Sequence, residues 1–182
     1  MDRQPVLDGE RLILRPLEER DWAAFRDAAG DPLIWEQHPA GDRWREAECR
    51  AWFEGALAEG ALAVIDKATG KLVGSSRFQT LNLAPDASII GSTFLARSHW
   101  GGETNREMKR LMLAHALAAR PRAWFLVAED NWRSRKAMEK IGGQLIERTF
   151  TADMPAGPVL HLIYEISREG FANGPLVKAS GR

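Results

Sequence analysis

Cysteine is nearly absent: Cys49 stands alone among 182 residues, which excludes an intrachain disulfide and any cysteine-rich metal framework. No metal is expected, and a reducing cytoplasm is the natural setting. An excess of one charge is also lacking, since 25 Lys and Arg face 25 Asp and Glu. No overall field then draws nucleic acid or an anionic membrane, and a charged ligand has to be met by a local site. Long apolar runs are missing as well. A membrane-spanning helix takes roughly 20 mainly apolar residues, and the best stretch here, Ala123 to Ala128, is far shorter. The start, Met1 to Leu12, mixes Asp2, Arg3, Asp8, Glu10 and Arg11 into its apolar residues, so export is not expected. Neither G-x-G-x-x-G after an early strand nor G-x-x-x-x-G-K-[ST] occurs, which removes the two familiar phosphate-loop folds.

What is present suits a folded chain. With 45% hydrophobic and 27% charged residues, it can fill a core and keep a soluble surface. The length fits one domain. Alternation over Arg11 to Leu17 predicts a strand ended by Pro16, and Trp22, Phe25 and Ala29 recur at helical spacing over Glu18 to Ala29. A loop with Trp35, His38 and Gly41 leads to a second helix over Arg43 to Glu59. Strands follow at Ala61 to Asp66, Lys71 to Thr80 and Ser88 to Ala96, the first two joined by a hairpin at Ala68-Thr69-Gly70.

After Gly101-Gly102 the period becomes helical, with Met108, Leu111, Met112 and His115 as the stripe. Thr104 and Glu107 fit a capping box with Thr104 as N-cap. The continuous apolar run Trp124 to Ala128 predicts a strand covered on both faces. A helix over Asn131 to Ile141 stops at Gly142-Gly143, and strands at Gln144 to Thr151 and Val159 to Ser167 complete the domain, residues 1–170. Residues 171–182 read as a flexible tail.

Two segments carry chemistry. In Arg97-Ser98-His99-Trp100-Gly101-Gly102-Glu103-Thr104-Asn105, adjacent glycines join a strand to a helix. Glycines let a backbone approach a ligand, and a helix's free amides and dipole favour an anion such as pyrophosphate. The same residues also suit a tight turn with no ligand. In Asn131-Trp132-Arg133-Ser134-Arg135-Lys136-Ala137-Met138-Glu139-Lys140-Ile141, the side chains of Asn131, Ser134, Met138 and Ile141 share one face. Asn131 and Ser134 there suit a capped first turn equally well.

Taken together, the strand, the Trp-Gly-Gly turn, its helix, the buried strand and the N-x-x-S helix resemble the GNAT N-acetyltransferase superfamily, particularly the branch that includes ribosomal-protein N-terminal acetyltransferases. Arg11-Leu12-Ile13-Leu14-Arg15-Pro16 is similar to that branch's first strand, and the resemblance spans roughly residues 9 to 168. It implies an α+β fold: a single mixed, mostly antiparallel sheet of about six to seven strands flanked by about four helices. It implies acetyl-CoA as cosubstrate, held by the backbone of Phe94, Leu95 and Ala96, by the turn residues Trp100, Gly101, Gly102, Thr104 and Asn105, and by Asn131 and Ser134. The family's usual R-G-x-G-x-G/A turn is matched in part, with Trp100, Glu103 and Asn105 as departures; a carboxylate beside pyrophosphate repels it, so Glu103 is expected to point outward. Substrate contacts are implied at Trp35, His38 and Trp44, though these tryptophans also suit a core.

The resemblance further implies acetyl transfer to a primary amine, a protein N-terminal α-amine or a small-molecule amine, by direct attack in a ternary complex. Where many relatives carry a proton-donating tyrosine on the last helix, Met138 stands here, which shifts the role to Ser134 as the residue assisting the leaving thiolate. Neutralising a lysine amine at pH 7 costs about 4 to 5 kcal/mol, an α-amine about 1. No general base stands out: Glu129 and Asp130 suit helix capping, His99 a surface loop and His115 a helix face. Arg106, Arg133, Arg135 and Lys136 are candidates for the 3′-phosphate or simply a solvated face. The alternative to an enzyme is a non-catalytic acyl-CoA-binding or sensing module. A homodimer is compatible with exposed sheet edges.

Overall fold

Alternation and turn chemistry place the strands, and one discontinuity between two of them positions everything else. The computed structural model describes residues 1–154 and 156–178. Its elements run β1 (Leu7–Asp8), β2 (Leu12–Pro16), α1 (Trp22–Ala29), α2 (Glu46–Ala58), β3 (Leu62–Asp66), β4 (Leu72–Gln79), β5 (Ala87–Leu95), α3 (Glu103–Ala119), β6 (Arg122–Ala128), α4 (Trp132–Lys140), β7 (Gln144–Met154), β8 (Gly157–Ser167), α5 (Arg168–Ala172) and α6 (Pro175–Lys178). The described strands form one sheet in the order β1-β2-β3-β4-β5-β6-β8-β7. Every adjacent pair is antiparallel except β5 and β6, which are parallel. The fold is thus the expected α+β mixed sheet, with eight strands among the described residues; the short β1 was too brief to carry a pattern.

Each face of the sheet buries its own apolar set. Leu12, Leu14, Leu62, Val64, Phe78, Ile90 and Phe125 pack with Met108, Met112, Leu113 and Ala116 of α3 and Met138 of α4. Phe25 and Ala29 of α1 and Cys49, Phe53 and Ala56 of α2 cover the opposite face with Trp35, Ala61, Ala63 and Phe94. Cys49 is fully buried there, and burial pushes its thiol pKa up, so it is packing material.

Three local expectations change. Helix α3 starts at Glu103 with Gly102 as N-cap and no side-chain cap, so Thr104 lies inside the first turn. The capping box is not made because the Glu107 carboxylate accepts from the Arg11 backbone N–H at 2.9 Å instead. The buried face of α3 runs through Met108, Lys109, Met112, Leu113 and Ala116, one position round from the anticipated stripe. Finally, the expected flexible tail folds as far as Lys178: α5 is capped by the Ser167 hydroxyl, and Leu176 is buried against the α3 face. Residues 179–182 of that segment lie outside the described residues.

The sheet's discontinuity is built from two devices. Parallel pairing of β5 with β6 covers only Ala87–Ile89 opposite Arg122–Trp124, so beyond those residues the two strands diverge. Between Ser75/Phe94 and Arg77/Gly91 the β4–β5 register shifts, so Ser76 faces both Ser92 and Thr93. Ser92 absorbs the extra residue at φ 49, a left-handed conformation that costs a non-glycine residue roughly 1 kcal/mol or more. Gly74 lets the bulged strand come close: a Cβ there would stand 2.4 Å from the Phe94 carbonyl oxygen. Gly74→Ala is therefore expected to lower stability by ~1 to 3 kcal/mol, read as a Tm drop of several degrees in a thermal melt.

Candidate active site

Beyond Ile89 and Trp124 the sheet opens into a gap, bordered by Ile90–Leu95 on one side and Phe125–Ala128 on the other. Each border strand is paired only on its outer side, β5 with β4 and β6 with β8. The gap therefore has backbone polar groups that the sheet leaves unused. Not all of those expected are available. The Ala96 N–H donates to the Val73 carbonyl at 2.8 Å, and the Phe94 carbonyl also points to β4. The Leu95 carbonyl is taken by the Trp100 indole N–H at 2.9 Å. Strand alternation leaves the Leu95 N–H facing the gap, so one of the three backbone positions remains where Phe94, Leu95 and Ala96 were all expected. The cause is Ala96 closing the β4 ladder and the Phe94 ring filling the α1/α2 core.

At the open end of the gap lies the N-terminus of α3. Gly101 takes φ 70, which needs a glycine, and no atom lies within 4 Å of where a Cβ on Gly101 or Gly102 would be. Gly102 caps without a side chain, so the first-turn N–H groups of Glu103, Thr104 and Asn105 have no intrahelical partner. This is an open, bare set of backbone donors at the positive end of a 17-residue helix. The Glu103 carboxylate is exposed and 3.6 Å from Arg106 Nε. Trp100 is tied to the strand end by its indole and lies under the Arg133 guanidinium, 4.4 Å from the ring centroid.

The other border leads into α4. Asn131 is buried and caps this helix, its Oδ1 accepting from the Ser134 N–H at 3.1 Å. The half-buried Ser134 hydroxyl has no hydrogen-bond partner among the described residues, and Met138 is buried in the core. Of the four basic candidates, three are engaged inside the protein. Arg106 donates to the Pro175 carbonyl at 2.8 Å, Arg133 to the carbonyls of Leu33 at 3.2 Å and Ile34 at 2.6 Å, and Arg135 to the Tyr164 hydroxyl and Glu129 carbonyl. Lys136 is exposed.

The loop between α1 and α2 approaches α4, since the Arg133 N–H donates to Gln37 Oε1 at 3.0 Å. Of the three substrate candidates it carries, Trp35 is core: 2% exposed, its indole N–H bonded to the Ala29 carbonyl at 2.8 Å. His38 Nδ1 accepts from the Ala40 N–H at 2.9 Å, and burial first, then Arg43, push its pKa down to about 3, so it stays neutral at pH 7. Trp44 is exposed beneath the Arg45 guanidinium. Glu129 and Asp130 are exposed and do not cap α4. His99 bonds to Ser98 and lies 3.9 Å from Asp66, and His115 bonds to the Asp2 carbonyl.

Two side chains of this region escaped the sequence reading. Arg43 lies over the rings of Trp52 and Trp35, 4.7 and 5.7 Å from their centroids. Lys109, only 3% exposed, extends from α3 towards the gap borders: its Nζ donates to Thr93 Oγ1 of β5 at 3.0 Å and lies 5.0 Å from the Phe125 ring centroid of β6. Burial pushes its pKa down to about 7. Its spacing was legible, because Lys109, Met112, Leu113 and Ala116 follow i, i+3, i+4 and i+7.

A family model described as an acetyltransferase (GNAT) domain matches residues 11–144. The chain belongs to the GNAT acetyltransferase family. Solved GNAT-fold structures agree along nearly the whole chain. A GCN5-related N-acetyltransferase from Brucella melitensis superposes with a TM-score of 0.78 at 20% identity, covering 97% of this chain and 83% of the other. An acetyltransferase from Agrobacterium tumefaciens gives 0.66 at 26% identity, with 90% and 95% covered. Mycobacterium smegmatis RimJ in complex with CoA-disulfide gives 0.69 at 20% identity, with 100% and 95% covered. Among the described residues of this GNAT chain, no group of three or more His, Cys, Asp or Glu could hold a metal, and no helix is long and apolar enough to cross a membrane.

Proposed function

We propose that this GNAT chain is an acetyl-CoA-dependent N-acetyltransferase acting on a primary amine, by direct attack in a ternary complex. The observation that carries the reading is the split sheet: an unpaired Leu95 N–H along one border of the gap and bare N–H donors at the start of α3. These residues fit coenzyme A. An amide-bearing arm pairs with a free strand edge as a peptide does, and a diphosphate suits a side-chain-free helix start. RimJ, the neighbour solved with CoA-disulfide, supports the same ligand chemistry.

Acetyl-CoA supplies an activated carbonyl and a thiolate leaving group. The protein's part is positional and electrostatic. Gly101, Gly102, Glu103, Thr104 and Asn105 hold the diphosphate through main-chain N–H groups, and Glu103 turns its carboxylate to Arg106. Asn131 fixes the first turn of α4, which presents the unpartnered Ser134 hydroxyl to the gap. From there Ser134 donates a hydrogen bond to the departing sulfur, whose thiol needs little help with a pKa near ~8.5. The acceptor enters beside the α1–α2 loop at His38 and Trp44. An α-amine, with a pKa of ~7.7, is the acceptor needing least assistance.

The test is acceptor-dependent release of free thiol from acetyl-CoA, with mass spectrometry of the acetylated product, across N-terminal peptides, polyamines and aminoglycosides. Ser134→Ala is expected to lower kcat ~10-fold or more while coenzyme affinity changes less than ~3-fold. Tight coenzyme binding with no turnover on any acceptor supports the second reading, a non-catalytic acyl-CoA sensor, which the buried Met138 in the usual donor position favours.

A further inference from the structure

Lys109 is a buried amine with few polar partners. Among the described residues no carboxylate lies within 4.0 Å of it, and its polar contact is one hydroxyl. A lysine at this depth is ordinarily paired, because an uncompensated ammonium is costly to bury. Its place explains it better than packing does: it reaches from the α3 face to Thr93 on one gap border and Phe125 on the other. Thr93 is half-buried on the unpaired stretch of β5, and its hydroxyl also meets Ser76 Oγ at 2.7 Å. Ser76 lies on β4, away from the gap, so the Thr93 hydroxyl alone stands between the gap border and Lys109 Nζ.

We propose that Lys109, acting through the Thr93 hydroxyl, is the proton acceptor for the attacking amine; this rests on the acetyl-transfer reading above. The acceptor nitrogen's lone pair forms the new C–N bond, and the C–S bond breaks with its electron pair on sulfur. The proton lost by the nitrogen passes to Thr93 Oγ1, which hands its own proton to Lys109 Nζ. Nζ then returns one proton through the same hydroxyl to the thiolate, leaving an amide, a free thiol and the resting amine. Lys109 serves as the base that Glu129, Asp130 and His99 do not supply.

The surroundings keep Lys109 free for this. From α3, Glu107 turns to the Arg11 N–H and Glu103 to Arg106. From β2, Arg15 is bound to Asp21; from β4, Arg77 to Glu59; from β6, Arg122 to Asp86 and Glu165. His115 of α3 bonds to Asp2. Burial is the cause that lowers its pKa, and no charged neighbour sets it.

The experiment measures kcat against pH for the full chain and for Lys109→Met, Lys109→Arg and Thr93→Val, with two acceptors of different amine pKa. NMR of the lysine ε-carbons of ligand-free protein runs in parallel, with the Lys109 signal assigned by its loss in Lys109→Met. Expected are an acidic limb near pH 7 that does not move with the acceptor, and an Nζ titration in the same region. Lys109→Met and Lys109→Arg are expected to lower kcat ~100-fold or more and to abolish that limb, and Thr93→Val to lower kcat with coenzyme affinity unchanged. A wild-type rate and limb in Lys109→Met, or an ε-amine titrating near the ordinary ~10.4, overturns the proposal while leaving acetyl transfer standing. Coenzyme binding with no thiol release on any acceptor overturns the transfer reading, and this proposal with it.

Discussion

At pH 6, Lys109→Met is expected to be more stable than the wild type by about 3 to 5 kcal/mol, a Tm gain of ~6 to 20 °C. The sign follows from protonation. The pKa of Lys109 falls from 10.5 to about 7 on folding. Below pH 7 both folded and unfolded chains carry the charge, and the folded one bears the full cost of burying it. Between pH 7 and 10.5 the unfolded chain binds a proton that the folded chain does not, so wild-type stability rises with pH. Above that range neither state is charged and the cost is gone. Methionine fills a similar buried space without charge, so its advantage is largest in acid and shrinks towards alkaline pH. Thermal melts of both proteins at pH 6, 8 and 10 check this. A variant less stable than the wild type at pH 6 contradicts the account of Lys109 as an unpaired buried amine. A protein made more stable and less active by one substitution is the signature of a group kept for function at a cost to the fold.

Glu103→Pro is expected to weaken coenzyme A binding by ~10-fold or more with almost no change in fold stability. Glu103 is the first residue of α3, preceded by Gly102 at φ −117 and ψ −161. Proline is well tolerated at a first helical position, and the extended Gly102 meets its demand on the preceding residue. The substitution removes one N–H, and a hydrogen bond to a charged group is worth roughly 1.5 to 3 kcal/mol. Glu103→Gln separates the two effects, because it keeps the N–H while removing the carboxylate. It is expected to bind coenzyme A as tightly as the wild type or more so. Titration calorimetry on the three proteins reads both results. Equal affinity in Glu103→Pro and wild type sinks the role of the α3 amides.

Much of this was legible in residue patterns, and the exceptions have physical causes. Trp124 to Ala128 read as a doubly covered strand because both its faces are apolar, and it lies in the sheet interior between β5 and β8. Gly101-Gly102 before a helical period marked the bare turn, since few other residues allow φ 70. The N-cap was misplaced because Glu107 has two uses, a local cap or a long-range bond to Arg11, and sequence spacing shows only the local one. The Phe94 to Ala96 edge was overcounted because which N–H faces the gap depends on register with β4, fixed by a bulge at Ser92 that no sequence pattern announces. Trp35 and Trp44 share a residue type, yet one is core and the other exposed; long-range packing decides that. Lys109 was overlooked because a cation is assumed to leave an apolar face, although its spacing put it in the middle of one.

The central claim is that the split between β5 and β6, together with the start of α3, forms a coenzyme A site. Titration calorimetry of folded wild-type protein with coenzyme A and acetyl-CoA tests it most directly. The account predicts saturable one-to-one binding that Glu103→Pro weakens. No heat from either ligand at millimolar concentration would contradict it.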